Sequence, residues 1–279
     1  MPDEAFCDWL AGFVDAEGCL RIDRSSPMLA IKLRSDDKTV LKMIRETLGF
    51  GAIYNASQAV ARANGVNRQD QCVYQADGRK NALRLVEILD GRMHAKKRRD
   101  FEIWKAATLA SNAIVSRCSP ERKIMMQKFN EELVAVRAFD SGVDASQHVH
   151  DISPDWIAGF VDGESSMMIA KNGAPRFCLN LRSDDSPILL AMQDYFGVGS
   201  VTYRGNAGSG AATYLAFSAN CLPIITALDG RLRTKKANDF ELFKEAVVHH
   251  TSYGPNRQYK GRKAIMLDYK KQLEEVRKA

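Results

Sequence analysis

The sequence predicts an α+β protein built from two copies of one αββαββα unit, each with a four-stranded antiparallel sheet. The ten-residue segment WLAGFVDAEG, residues 9–18, returns as WIAGFVDGES at residues 156–165. Pairs of segments that alternate between apolar and polar residues follow each copy, as half-buried strands do. Later segments recur in the same order, for example LDGR at 89–92 and 228–231. The repeat therefore covers nearly the whole chain and indicates a pseudo-dimer on one polypeptide.

The first copy opens with a short helix that Asp8 or a neighbour can cap and that Gly18 ends. The next two segments, CLRIDRS and LAIKLR, alternate in polarity and predict an antiparallel hairpin that turns at residues 25–27. Residues 35–37, Ser-Asp-Asp, are then predicted to cap a second helix, which Gly49 closes.

A second hairpin, GAIYNAS with QCVYQAD, and three further helices complete the first copy. These helices are predicted near residues 79–90, from Lys97, and from Pro120 to about Val136. The second copy follows the same plan, with strands in MMIAK, RFCLNLR, GSVTYRG and ATYLAFS and with helices at 184–196, 220–229, 235–249 and 259–277.

Two domains are predicted, an N-terminal repeat at residues 1–140 and a C-terminal repeat at residues 155–279. The segment between them, residues 141–154, is polar and lacks periodicity, so it is predicted to be a linker. At 279 residues the chain is long enough for two domains that each bury a core.

The composition excludes several classes of protein. No apolar run reaches the ~18 residues of a membrane span, and the first residues lack the layout of a secretory signal. These features predict an intracellular protein, made in a bacterial or phage-infected cytoplasm or inside an organelle. The six cysteines show no metal-ligand spacing, which argues against a zinc cage. A formal net charge of +6 favours an anionic partner.

The segments LAGFVDAEG and IAGFVDGES, about half a chain apart, resemble the paired signature motifs of LAGLIDADG homing endonucleases. The resemblance implies that the two motif helices pack against each other at the domain interface. The Ala-Gly pairs 11–12 and 158–159 remove side-chain bulk and permit such a close approach, although two separately buried helices remain the alternative. The resemblance also implies a monomer that cuts both strands of double-stranded DNA and leaves short 3′ overhangs.

Glu17 and Glu164 end the motif helices, where an acidic side chain costs roughly 0.3–1 kcal/mol. Hard divalent cations bind oxygen ligands, and metal-assisted phosphodiester hydrolysis uses carboxylates in this way. The resemblance implies that Glu17 and Glu164 bind two or three Mg²⁺ ions at the domain interface, together with the preceding residues Ala16 and Gly163. The alternative is a surface glutamate at a helix end.

Two further groups of residues belong to this expectation. Asp15 and Asp162 are expected to cap or to hydrogen-bond locally and are not assigned as ligands. The resemblance places a basic residue beside the scissile phosphates, and the candidates are Lys96, Lys97, Lys235 and Lys236. Lys97 and Lys236 are preferred because each lies three residues before an aspartate, whereas a solvated lysine pair is the alternative.

The predicted hairpins carry polar and basic residues on the face opposite their apolar side. A twisted two-stranded ribbon fits the DNA major groove, where such side chains can contact base edges. The expected DNA-binding residues are Arg21, Arg24, Lys32, Arg34, Asn55, Lys171, Asn180, Arg182, Tyr203 and Arg204, with Arg62 and Arg68 as more distant contacts. One departure is that Leu33 and Leu181 occupy the position where family members often carry a polar residue, with arginines next to them.

Two other functions share this fold. An RNA-binding maturase that assists intron splicing is the main alternative, and a DNA-binding regulator is a third. Intact Glu17 and Glu164 favour the nuclease, because a regulator is expected to lose one or both carboxylates. The target is predicted to be long and only imperfectly palindromic, since the two copies differ on the polar face.

Overall fold

The computed structural model describes residues 1–23, 26–57, 69–114, 119–138, 152–205, 210–253 and 261–277. The chain divides into two compact units, Met1–Ser141 and Gly142–Ala279. Among the described residues, no helix is long and apolar enough to cross a membrane.

In the first unit, helices pack on one four-stranded antiparallel sheet. Its strands follow the order β1-β2-β4-β3, so the central pair joins the two hairpins. Its elements are α1 (Glu4–Glu17), β1 (Gly18–Asp23), β2 (Ser26–Arg34), α2 (Lys38–Leu48), β3 (Ala52–Ala56), β4 (Gln71–Asp77), α3 (Arg79–Leu89), α4 (Lys97–Ala113) and α5 (Pro120–Ala138).

The second unit repeats this plan with the strand order β5-β6-β8-β7. The predicted α+β class and the two four-stranded antiparallel sheets are therefore confirmed. Its elements are α6 (Pro154–Glu164), β5 (Ser165–Ile169), β6 (Pro175–Arg182), α7 (Ser186–Phe196), β7 (Ser200–Arg204), β8 (Ala211–Phe217), α8 (Leu222–Leu228), α9 (Lys236–Ser252) and α10 (Arg262–Val276).

The motif helices begin earlier than the sequence pattern indicated. Asp3 caps α1 by accepting a hydrogen bond from the amide of Phe6 at 2.7 Å. Asp8, which was predicted as one possible cap along with its neighbours, instead lies inside the helix and pairs with Nε of Arg92 at 2.9 Å. The predicted end of α1 is confirmed, because the amide of Gly18 bonds to the last turn of the helix. The first hairpin also differs slightly, since Ser26 and Pro27 belong to β2 rather than to the turn.

One face of each sheet forms the core of its unit. Leu29, Ile31 and Tyr74 are fully buried on this face in the first unit, where α1, α3 and α4 pack against β2. Leu179 and Tyr214 take the same places in the second unit. The alternation that predicted the strands arises because successive side chains point to opposite faces.

An arginine near the end of each unit connects its last helix to its first strand. Nε of Arg137 lies 2.6 Å from Oδ2 of Asp100, and the same guanidinium donates to the carbonyl of Leu20. Arg277 makes the equivalent bonds to Asp239, at 2.6 Å, and to the carbonyl of Met167. The repeat therefore extends to the contacts that close each unit.

The two units differ where a buried arginine or histidine lies near the second-last helix. In the first unit, the guanidinium of buried Arg122 donates to the backbone carbonyl of Ser111 at 2.9 Å. In the second unit, Arg262 contacts the ring of buried His250, 2.9 Å from Nδ1. Burial, together with the nearby Arg262 charge, lowers the pKa of His250 to about 4.

The second unit is expected to lose stability as the pH falls from about 6.5 towards 4. Over this range unfolded His250 takes up a proton that the folded protein does not bind, so acid favours the unfolded state. We expect H250Q to flatten the dependence of the urea midpoint on pH, whereas H249Q, one residue away, keeps it. An unchanged pH dependence in H250Q would contradict the assignment.

Candidate functional site

Glu17 and Glu164 are the last residues of α1 and α6, and the first strand of each sheet begins at the next residue. Both side chains are half-buried. Because a helix ends and a strand begins there, the backbone is fixed on both sides of each carboxylate.

A lysine from a distant part of each unit reaches the end of its motif helix. Nζ of Lys97 lies 2.6 Å from the carbonyl oxygen of Ala16 and 3.4 Å from that of Val14. A cation is favourable at this end of a helix, where the free carbonyl groups carry partial negative charge. The contact places a positive charge beside the residue that precedes Glu17.

The second unit repeats this contact with the equivalent atoms. Nζ of Lys236 lies 2.8 Å from the carbonyl oxygen of Gly163 and 3.2 Å from that of Val161. The neighbouring lysines differ between the units, since Lys96 is half-buried and Lys235 is exposed. The sequence favoured Lys97 and Lys236, and the structure places these two lysines, the second of each pair, against the motif helices.

Asp15 bonds to a segment far along the chain, although local contacts were expected. The carboxylate of Asp15, which is 4% exposed, accepts hydrogen bonds from the amides of His94 and Ala95 at 2.8 and 3.2 Å. These two residues directly precede the lysine pair. The signal in the sequence was the recurrence of this aspartate in both motifs.

Asp162 forms the equivalent contacts in the second unit and adds one more. Its Oδ2 accepts from the amide of Arg233 at 2.8 Å, and its Oδ1 accepts from the amide of Thr234 at 3.3 Å. The hydroxyl of Thr234 also donates to Oδ1 at 2.5 Å. Ala95 occupies the corresponding place in the first unit and has no hydroxyl to donate.

The oxygen atoms at each helix end fit a hard cation. The carbonyl groups of Ala16 and Gly163 already bind the ammonium groups of lysine, and a glutamate follows each of them. No group of three or more His, Cys, Asp or Glu side chains among the described residues could hold a metal ion. The donors suit Mg²⁺, which commonly binds one or two carboxylates and completes its shell with water and phosphate oxygens.

The strand register shows which expected DNA-binding residues share a face. Directly paired residues in neighbouring strands lie on the same side of a sheet, and this side alternates along each strand. The face opposite the core carries exposed polar and basic side chains, namely Arg21, Lys32 and Arg34 from the first hairpin of the first unit and Asn180, Arg182 and Arg204 from the two hairpins of the second. We call it the outer face of each sheet.

Asn55 and Tyr203 lie on the other face, contrary to the expectation from the sequence. Asn55 pairs with Cys72 and Tyr203 pairs with Ala212, and both partners are fully buried in the core. Asn55 instead accepts a hydrogen bond from Lys38 at 2.9 Å. The outer-face residues that sequence reasoning missed are Tyr54, Gln71, Gln75, Thr202 and Thr213.

The remaining expected contacts are Lys171 and three arginines. Lys171 is exposed in the turn between β5 and β6. Arg24, Arg62 and Arg68 lie outside the described residues. Arg34 and Arg182, which occupy equivalent positions, pair with Asp36 at 2.7 Å and with Asp184 at 3.1 Å.

Comparison with known sequences identifies relatives over most of the chain. The model of the LAGLIDADG endonuclease family matches residues 10–108 and 157–247. "Probable intron-encoded endonuclease Cox1-I1b" of Schizosaccharomyces pombe is 22% identical over 205 residues, covering 68% of this chain and 49% of that protein. "Probable intron-encoded endonuclease 4" of Neurospora crassa is 27% identical over 106 residues, covering 37% of this chain and 18% of that protein. The chain thus spans about half the length of the first relative and less of the second.

Solved structures with the same fold cover the chain almost completely. The homing endonuclease I-GzeII, in complex with its DNA target, has a TM-score of 0.69 and 19% identity, over 95% of this chain and 97% of its own. The meganuclease I-AabMI, bound to uncleaved DNA, has a TM-score of 0.70 and 20% identity, over 95% of this chain and 98% of its own. I-SmaMI, bound to uncleaved DNA with calcium ions, has a TM-score of 0.69 and 13% identity, over 96% and 98%. At these identities the likeness establishes the fold alone.

The two lysine contacts are expected to stabilise their units. K97M and K236M each remove a charged hydrogen bond to the end of a motif helix, and we expect each to lower the free energy of unfolding by about 1–2 kcal/mol. K235M, which changes an exposed neighbour, is the matched control and should stay within about 0.5 kcal/mol of wild type. Urea unfolding measures all three, and an equal loss in K235M and K236M would contradict the prediction.

Proposed function

Because the chain belongs to the LAGLIDADG endonuclease family, we propose that it is a site-specific endonuclease that cuts both strands of DNA. The observation that carries the proposal is the pair of matching helix ends, each with a glutamate and a lysine-bound carbonyl. Family membership alone does not separate a nuclease from an inactive relative. The retained glutamates favour the nuclease, because a family member without catalysis has no need of an acidic residue at this unfavourable helix end.

The glutamates and lysines at the two helix ends are proposed to have different roles in cleavage. Glu17 and Glu164, with the carbonyl groups of Ala16 and Gly163, would hold Mg²⁺, which when bound activates water and offsets charge on the phosphate. Lys97 and Lys236 place a positive charge at the carbonyl groups of Ala16 and Gly163. Their ammonium groups would stabilise the negative charge that develops on the phosphate during cleavage. Lys96 and Lys235 would contribute positive potential only.

The outer faces are proposed to bind double-stranded DNA in the major groove. Arginine and lysine on these faces can contact phosphates and base edges, and asparagine can pair with adenine. Equivalent positions carry different residues, such as Lys32 in the first unit and Asn180 in the second. We therefore propose a long target that is only imperfectly palindromic, with Lys171, Arg24, Arg62 and Arg68 as further contacts.

The proposal includes the assembly and the products. One chain carries both halves of the motif pair, so we propose that it acts as a monomer with domains at 1–140 and 155–279 joined by 141–154. Cleavage near the centre of the target would leave short 3′ overhangs. The relatives are named as intron-encoded proteins. We propose that this protein acts in the cell or organelle that encodes it.

The nuclease is tested with purified protein and a randomised duplex DNA library. We expect discrete cutting with Mg²⁺ and binding without cutting when Ca²⁺ replaces it. The double variant E17Q/E164Q should lose cutting by at least about 100-fold while it still binds DNA in Ca²⁺, because amides are poor metal ligands. E87Q, which changes a glutamate of α3, is the matched control and should cut at the wild-type rate.

Two results would contradict the proposal. Cutting that survives in E17Q/E164Q would remove the glutamates from the active site. Sequence-specific binding of DNA or of a structured RNA, without cutting by the wild-type protein in Mg²⁺, would favour a regulator or a maturase.

The assignment of faces predicts opposite behaviour for two adjacent residues. Arg204 lies on the outer face and exposed Tyr203 lies on the core face of the same strand. We expect R204A to weaken DNA binding in Ca²⁺ by about 3–30-fold. The slope of log binding constant against log salt concentration should also become shallower by about one, as the loss of one phosphate contact predicts. Y203A should leave the Kd within about twofold, and a larger loss in Y203A than in R204A would contradict the register.

A further inference from the structure

The side chains of Asp15 and Asp162 differ from those of Glu17 and Glu164 in direction and in burial. Each aspartate lies two residues before the glutamate of its helix. Side chains two apart on a helix do not face each other. Both aspartates are also nearly fully buried, at 4% exposure, whereas the glutamates are half-buried. This arrangement therefore does not support the aspartates and the glutamates binding a metal ion together.

The bonds of these carboxylates end at the start of the helix that carries the lysine. The amide of Ala95 donates to Asp15, and the carbonyl of Ala95 accepts from the amide of Arg98 at 2.9 Å in the first turn of α4. Thr234 does the same in the second unit, where its carbonyl accepts from Ala237 at 3.0 Å. Each aspartate thus holds the residue from which the lysine-bearing helix starts.

The lysine side chain contacts the turn of the motif helix that contains the aspartate. Lys97 is the first residue of α4, and its Nζ bonds to the carbonyl groups of Val14 and Ala16, which flank Asp15. The aspartate therefore binds the loop while the lysine of that loop binds the backbone on both sides of the aspartate. A buried carboxylate is costly without such donors, so it stays where the loop amides are.

We propose that Asp15 and Asp162 are positioning residues, which fix where Lys97 and Lys236 place their ammonium groups. The inference rests on the proposed function for the role of these lysines in DNA cleavage. Neither aspartate touches the reacting atoms in this arrangement. Each acts through the start of α4 or α9.

The two units predict different sensitivities to one substitution. Both loop amides of the first unit donate to a single oxygen, Oδ2 of Asp15, and an asparagine can present its one oxygen there. In the second unit both oxygens of Asp162 accept, so an asparagine must turn its NH₂ group towards a donor. D162N is therefore expected to disturb its lysine more than D15N does.

The experiment measures single-turnover cleavage of a target selected from the library, with DNA binding in Ca²⁺ measured alongside. We expect D162N to lower the cleavage rate about 10–100-fold and D15N by less, both with a Kd within about twofold of wild type. In the K236M background D162N should have little further effect, because the lysine that it positions is gone. D15N combined with K236M should show multiplied effects, because the two changes affect different lysines.

A matched control and a second readout separate positioning from general damage. D8A removes another contact between α1 and the same loop, the one to Arg92, and should leave the cleavage rate unchanged. Hydrogen exchange of the Thr234 amide should become faster in D162N and stay slow in K236M. If D162N unfolds, T234A replaces it. T234A keeps both amide bonds to Asp162 but removes the hydroxyl bond to Asp162 and the bond that this hydroxyl accepts from the amide of Lys236 at 3.1 Å, and it should lower the rate a few-fold.

The outcomes distinguish this inference from the proposed function. A wild-type protein that cuts no DNA would overturn both. DNA cutting that D162N leaves at the wild-type rate, despite faster exchange at Thr234, would overturn the positioning role alone. An equal loss from D162N with and without Lys236 would also overturn it, since the aspartate would then act independently of the lysine.

Discussion

The negative end of each motif helix is the physical constraint on which the site depends. The last carbonyl groups of the helix carry partial negative charge and a glutamate follows them, so negative charge accumulates where the sheet begins. A lysine ammonium group bound to Ala16 or Gly163 compensates this charge within each unit. The buried aspartate, the loop before the lysine and the start of the next helix all serve to bring that ammonium group to this place.

Comparison of the two units shows which side-chain contacts are kept in both and which surface positions differ. The lysine, the aspartate, and the arginine that joins the last helix to the first strand have equivalent contacts in both units, with one added hydroxyl bond at Asp162. The outer faces instead differ at equivalent positions, as Lys32 and Asn180 illustrate. Side chains on these faces bear little of the core, so they can diverge without loss of stability.

The sequence predicted most elements because the repeat and the alternation of polarity are strong signals. It misplaced Asn55 and Tyr203, because both occupy short strands where a polar residue at the sheet margin looks the same on either face. It favoured Lys97 and Lys236 only from their spacing to an aspartate, because the contact that each lysine makes depends on how α4 and α9 start. The contacts of Asp15 join residues about 80 positions apart, and no local pattern reports such a pairing.

In each unit, an arginine of the last helix bonds to the first strand, and this contact affects when the site forms during synthesis. Arg137 bonds to the carbonyl of Leu20 across 117 residues, and Arg277 bonds to that of Met167 across 110. Contacts this distant along the chain form late, after most of a unit has left the ribosome. A nascent chain that stops before α5 therefore displays its motif helix and its glutamate without the closed unit around them. Premature termination yields a polypeptide that carries the signature but not the finished site.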